Sequence, residues 1–148
     1  SGVAVAVRAG TPAPDIASED ALRHAVRTAR SLGYSTGPSG TQLLKLFERW
    51  DLTTELQPKL VQAPAGIPVG RLVAEGQVEL GFQQLSELMS LPGITVVGPL
   101  PAAVQITTTF SGGVTAASAQ AETMQALLAW MASPATAPLK QRHGMESA

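Results

Sequence analysis

Short apolar runs alternate with amphipathic stretches along most of this chain. Residues 3–8, VAVAVR, are apolar up to Arg8, as expected of a strand covered on both faces. Small residues and prolines over 9–14 break that run. Leu22, Ala25, Val26 and Ala29 then recur at helical spacing behind Asp15 or Ser18 as cap, which predicts a helix. A second strand is expected over 32–35, and Leu43, Leu44, Phe47 and Trp50 predict the apolar face of the helix that follows.

After a polar turn over 51–55, residues 58–62 (PKLVQ) suggest a third strand, and a small-residue loop over 63–68 feeds a helix over 69–75 ended by Gly76. A fourth strand over 78–83, a brief helix over 86–89, a strand over 94–97 and a β-branched run over 105–110 (QITTTF) come next. Two helices close the chain, over 118–131 with Ala121, Met124, Leu127, Leu128 and Met131 on one side, and from Pro134 to the region of Gly144. Strands alternating with helices predict an α/β fold with a largely parallel sheet between two helical layers, a three-layer αβα sandwich.

Composition narrows the picture. With 148 residues, 45% of them apolar and 14% charged, the chain suits one soluble globular domain. Ten Lys+Arg against eleven Asp+Glu are scattered and leave a formal charge of −1, so nucleic acid is not an expected partner. No apolar run is long enough to cross a bilayer, and there is no signal-peptide pattern after Ser1, so the protein is cytosolic or a leader has been removed. The absence of cysteine excludes disulfides and thiolate chemistry. Composition shifts only near Ser111, Gly112 and Gly113, ahead of the closing helices.

The organising stretch is YSTGPSGTQLLKLFERWDL, from Tyr34 to Leu52. A helix entered through Ser39, Gly40 and Thr41 offers backbone N–H groups, hydroxyls and the positive end of the helix dipole, a combination suited to an anion. On a plainer reading, Ser39 caps the helix and the glycines make the turn. The stretch is neither a P-loop nor a nucleophile elbow, for it lacks the Gly-Lys-Ser/Thr of the one and the second glycine of the other. The loop over 63–68 repeats the arrangement and adds Gly66 and Ile67 as candidate ligand contacts. Tyr34 and Gln83 are possible further contacts. Gln83 and Gln84 end an apolar strand and can face the same crevice, or one of them can simply cap the sheet. His24 and His143 lack a second ligand at helical spacing, so no metal site is expected. Glu75 and Glu79 flank a glycine turn and read as solvated, and no paired carboxylates or placed histidine suggest a catalytic residue.

Beyond these local readings, SGVAVAVRAGTPAPDI, the organising stretch, GIPVGRLVAEGQVELGFQQLSELMSLPGITVVGPLP and TTTFSGGVTAASAQAETMQALLAWMASPATAPLKQRHGM together resemble a bacterial periplasmic substrate-binding protein of the molybdate-binding (ModA-like) type II family. The resemblance implies a type II periplasmic-binding-protein fold apparently lacking the N-terminal half of its first domain. Residues 1–112 would be the second α/β domain with hinge strands, and 113–148 the C-terminal helices that pack on the first domain. It implies a solute-binding component of an ABC importer, periplasmic after removal of a leader, holding a small anion in an interdomain cleft without a cofactor. Its partner would be a membrane permease. By the same resemblance, amide contacts fall near Ser39 and Gly40 and near Gly66 and Ile67. A ligand-touching tyrosine of the family falls near Gln105 or Ile106; neither is Tyr, which admits a carboxylate as the alternative to an oxyanion. Some relatives with this kind of sequence resemble isomerases of unsaturated tricarboxylic acids, of the aconitate isomerase kind. The apolar row through Leu127, Leu128, Trp130, Met131 and Leu139 suggests a homodimer of this chain.

Overall fold

The alternation of valine and alanine in the first run decides which layers the sheet carries. In a computed structural model, which describes residues 1–147, this run is strand β1 (Val3–Arg8). Val3, Val5 and Val7 face one layer, formed by helices α1 (Glu19–Thr28) and α2 (Pro38–Arg49), and bury against Leu22, Val26, Leu43 and Phe47. Ala4 and Ala6 face the other layer, where Leu88 of the one-turn helix α5 (Leu85–Leu88) packs. The small side chains on that face give room for helix α4 (Val69–Ala74) to lie close to the sheet. Gly81 shows how close: a Cβ there would stand 2.4 Å from Val73 Cγ2.

The remaining strands are β2 (Leu32–Tyr34), β3 (Leu60–Gln62), β4 (Leu80–Gln84) and β5 (Ile94–Pro99), in the order β3-β2-β4-β1-β5. β2 pairs in parallel with β3 and β4, whereas β1 is antiparallel to both β4 and β5. Four strands therefore share one direction, as expected, and β1 alone runs against them. No direct connection joins β1 to either neighbour, so the crossover that imposes parallel pairing does not act on it.

Several boundaries differ from the sequence expectation. Residues 105–110 do not form a strand; they meet the opening residues at the Gly2–Thr107 bridge, through Val3 N–H to Ile106 O (2.8 Å), and in a reciprocal pair between Ser1 and Thr108 (3.0 Å each way). β3 starts late because Gln57–Lys59 is a 3-10 turn with Pro58 in its first turn, where a missing N–H costs nothing. The short helix α3 (Thr53–Leu56) precedes it. The closing helices are α6 (Ala121–Ala132) and, after a 3-10 turn at Pro134–Thr136, α7 (Ala137–Arg142). α6 buries none of its residues, and Leu127, Trp130, Met131 and Leu139 are exposed, so the surface on which the homodimer expectation rests lies open. No helix among the described residues is long and apolar enough to cross a membrane.

Local signals explain the ends of the helices. Ser18 caps α1 by accepting Ala21 N–H (3.1 Å), and Asp15 takes Ala17 N–H (2.9 Å) in the preceding turn. α2 closes through Leu52 N–H to Phe47 O and Asp51 N–H to Glu48 O, each 2.9 Å, with Asp51 left-handed at φ 57.

Glu79 is engaged, contrary to its reading as a solvated carboxylate. Its Oε2 accepts the backbone N–H of Arg30 (2.9 Å) and the Arg30 Nε–H (3.0 Å), pinning the approach to β2 beside that to β4. These bonds, the backbone one foremost, hold its carboxyl below the ordinary 4.5. A carboxyl depressed by folding contributes stability that is present above its unfolded value and is lost as pH falls through the lower folded one. Glu79→Gln should therefore cost about 0.5–1 kcal/mol at pH 7 and less at pH 3 in urea titrations, discounted for its exposure. Equal losses at both pH values would show that the charge contributes nothing.

Candidate functional site

The parallel pairing of β2 with β3 brings two loops together. Tyr34 and Gln62 are register partners at the carboxyl ends of these strands, and Ala63 N–H reaches Tyr34 O (2.8 Å). The chain then leaves β2 through residues 35–37 into α2, and leaves β3 through residues 63–68 into α4. Strand ends of this kind, where connections depart to opposite faces, form the crevice in which open α/β sheets hold ligands.

In the first loop the cap position belongs to Gly37, which has no side chain to offer, and Pro38 takes the first helical position. Ser39 is therefore not the N-cap. Its hydroxyl turns inward instead, 3.0 Å from Ser35 Oγ and donating to Gln84 Oε1 at 3.2 Å, and only 2% of the residue is exposed. Thr41 N–H to Gly37 O (3.2 Å) closes the first turn. The N–H groups of Ser39 and Gly40 precede that bond and have no acceptor within the helix. Thr41 is exposed and Gly40 buried. A Cβ on Gly40 would fall 1.9 Å from Ser35 O and 3.1 Å from Tyr34 Cδ2, so this glycine is required by the loop folding back on the helix. Half-buried Tyr34 packs against the core beside α2.

Two amides of the second loop are engaged internally. Ile67 N–H donates to Pro64 O (3.0 Å), and Val69 N–H donates to Gln83 Oε1 (2.7 Å). Gly66 is exposed and Ile67 half-buried. The two loops thus lie side by side, with the uncommitted first-turn amides on the α2 side.

Gln83 and Gln84 do not share a crevice. As neighbours on a strand they point to opposite faces, Gln83 to α4 and to Glu87, whose carboxylate accepts its Nε2–H, and Gln84 to α2. The Gln84 Nε2–H also reaches Thr108 Oγ1 (3.3 Å). Sequence patterning missed Ser35 and Gln84 as partners of Ser39, and Thr108 as the partner of Gln84; the one trace of them was a pair of amides placed at the end of an apolar strand. Gln105 turns to its own backbone, accepting Ile106 N–H (2.8 Å), and lines a shallow cleft of about 480 Å³ with Gln42, Lys45, Arg49 and Thr107. No group of three or more metal-binding side chains occurs among the described residues. The crevice therefore presents amides and hydroxyls, groups that hold an anion by hydrogen bonds.

Comparison with known proteins adds to this geometry. A sequence profile described as bacterial extracellular solute-binding protein matches residues 1–146. An aconitate isomerase from Pseudomonas sp is 41% identical over 147 residues, which are 99% of this chain and 56% of that protein. The chain thus spans about half the length of this curated relative. Among solved structures, the chain superposes with a TM-score of 0.76 at 16% identity on a protein named as the substrate-binding domain of a molybdenum ABC transporter from Clostridium difficile, covering 99% of this chain and 63% of that one. With the periplasmic molybdate-binding protein of Azotobacter vinelandii the TM-score is 0.57 at 21% identity, covering 97% and 64%.

Proposed function

The chain belongs to the bacterial extracellular solute-binding protein family and has the fold of the type II periplasmic binding proteins; on that footing we propose that it forms the anion-holding wall of a solute receptor. The observation that carries the reading is the first turn of α2. Its Ser39 and Gly40 amides lack helical acceptors at the carboxyl end of the sheet, beside the buried Ser39 hydroxyl and the loop of Gly66 and Ile67. Residues 1–112 would act as one ligand-holding domain and the closing helices would belong to the opposite one. Closure on the ligand would present the receptor to an ABC permease in the periplasm.

We infer that the ligand is a carboxylate rather than molybdate. The two molybdate-related structures share only 16% and 21% identity with this chain, which speaks for the fold alone. The relative at 41% identity is named for a tricarboxylic acid. That same relative favours a second reading, an isomerase on this scaffold, which would need a group that moves a proton between carbons. Glu87, bonded to Gln83 at the carboxyl end of β4, is the carboxylate to substitute first in testing it.

Thermal shift of the intact protein separates these readings. Binding only to the folded form must stabilise it, by about 2.7 kcal/mol at a hundredfold excess over Kd. We expect trans-aconitate or citrate to raise Tm and molybdate, tungstate and sulfate to leave it unchanged. Interconversion of cis- and trans-aconitate well above background would put the isomerase first. No shift with any of these anions would end the anion-receptor reading.

A further inference from the structure

We propose that Gln84 is a positioning residue that transmits occupancy of the α2 N-terminus to the segment around Thr108, by reversing the direction of a hydrogen-bond chain whose centre is buried; the inference rests on the anion-receptor reading above. The chain runs Ser35 Oγ, Ser39 Oγ, Gln84 side-chain amide, Thr108 Oγ1, with steps of 3.0, 3.2 and 3.3 Å. Ser39 is 2% exposed and Gln84 5%, so neither can fall back on bulk water.

The donors fix the direction. Ser39 has one hydroxyl proton and gives it to Gln84 Oε1, so Ser35 must be the donor in the Ser35–Ser39 pair. Gln84 then donates through Nε2 to Thr108 Oγ1. Every bond points from the α2 loop towards Thr108.

An anion seated on the Ser39 and Gly40 amides accepts protons only, and it competes for the Ser39 hydroxyl proton. When that proton turns to the anion, Gln84 Oε1 loses its donor inside the protein, which is unfavourable. A half-turn of the amide restores the balance. Nε2–H then donates to the Ser39 oxygen, and Oε1 accepts the Thr108 hydroxyl proton. No proton changes owner; one amide turns and two hydroxyls rotate.

Thr108 is well placed to register that change. It exchanges two backbone bonds with Ser1, next to the Gly2–Thr107 bridge, and the Ser1 hydroxyl in turn joins Ser86 N–H and Gly144 O. Glutamine suits the junction because its two ends differ, one an acceptor and one a donor, and exchange places by a single torsion.

The test is side-chain and backbone NMR on the intact protein, titrated in turn with trans-aconitate and with molybdate, alongside affinities for Ser39→Ala, Thr108→Val and the double variant. The expected result is that the Gln84 side-chain amide signals move together with the Ser39 and Gly40 amides. Thr108→Val, which takes away the terminal donor without touching the proposed ligand groups, should weaken binding about fivefold, and should have no effect once Ser39→Ala is present. Ser39 and Gly40 signals that shift while those of Gln84 stay fixed, or a Thr108→Val affinity equal to that of the unaltered protein, would overturn the relay and leave the receptor reading standing. No shift at Ser39 and Gly40 with either anion would overturn both.

Discussion

Gly40→Ala is expected to destabilise the protein by about 3 kcal/mol or more, lowering Tm by roughly 10 °C. The added methyl would stand 1.9 Å from the Ser35 carbonyl oxygen and 2.9 Å from its carbon. These are backbone atoms, so no side-chain rotation relieves the clash. Either the loop over 35–37 moves off α2 or the first turn of α2 unwinds. Anion binding would be lost as well, but as a result of that movement, since the Cβ of residue 40 meets the loop before it meets any ligand. Urea unfolding followed by tryptophan fluorescence checks the prediction, because Trp50 lies at the far end of the same helix. An unchanged midpoint would show that the loop yields at little cost.

Phe47→Ala should have an effect of similar or larger size, about 4 kcal/mol. Phe47 is 1% exposed and meets Phe82 edge to face, with centroids 6.3 Å apart, and lies 6.1 Å from the Trp50 ring. It is one of the buried side chains, with Leu43 and Leu46, that seat α2 in the core, so the variant should also weaken ligand affinity by letting the helix shift. Calorimetry and the same urea titration read the loss. A change below about 1 kcal/mol would mean that neighbouring side chains refill the space.

What was legible in the sequence was whatever depends on near neighbours. VAVAVR declared a strand with two covered faces, Leu43 to Trp50 declared the seated face of α2, and Gly76 ended α4 as expected. The reversed direction of β1 was hidden because its partners, β4 and β5, lie more than 70 residues away in the chain. QITTTF has the composition of a strand, but its backbone pairs with Ser1, Gly2 and Val3 through one isolated bridge and a few bonds. The site divided along the same line. Ser39, Gly40 and Thr41 were visible as a helix start, whereas the fate of the Ser39 hydroxyl depended on Gln84, 45 residues on. The alternation of a strand could have separated Gln83 from Gln84, since a period of two sends neighbours to opposite faces.

Because Ser1 and Thr108 exchange backbone bonds, the polypeptide between them starts and finishes at one place, a stem of two paired segments extended by Val3 N–H to Ile106 O. A guest with its ends so placed can be spliced between two residues of a host that lie about 5 Å apart, with no added linker. The stem also decides which movements such a guest retains. Sliding one segment along the other would break every bond between them together, whereas bending across their thin face breaks none. The guest would nod on its stem and would not piston.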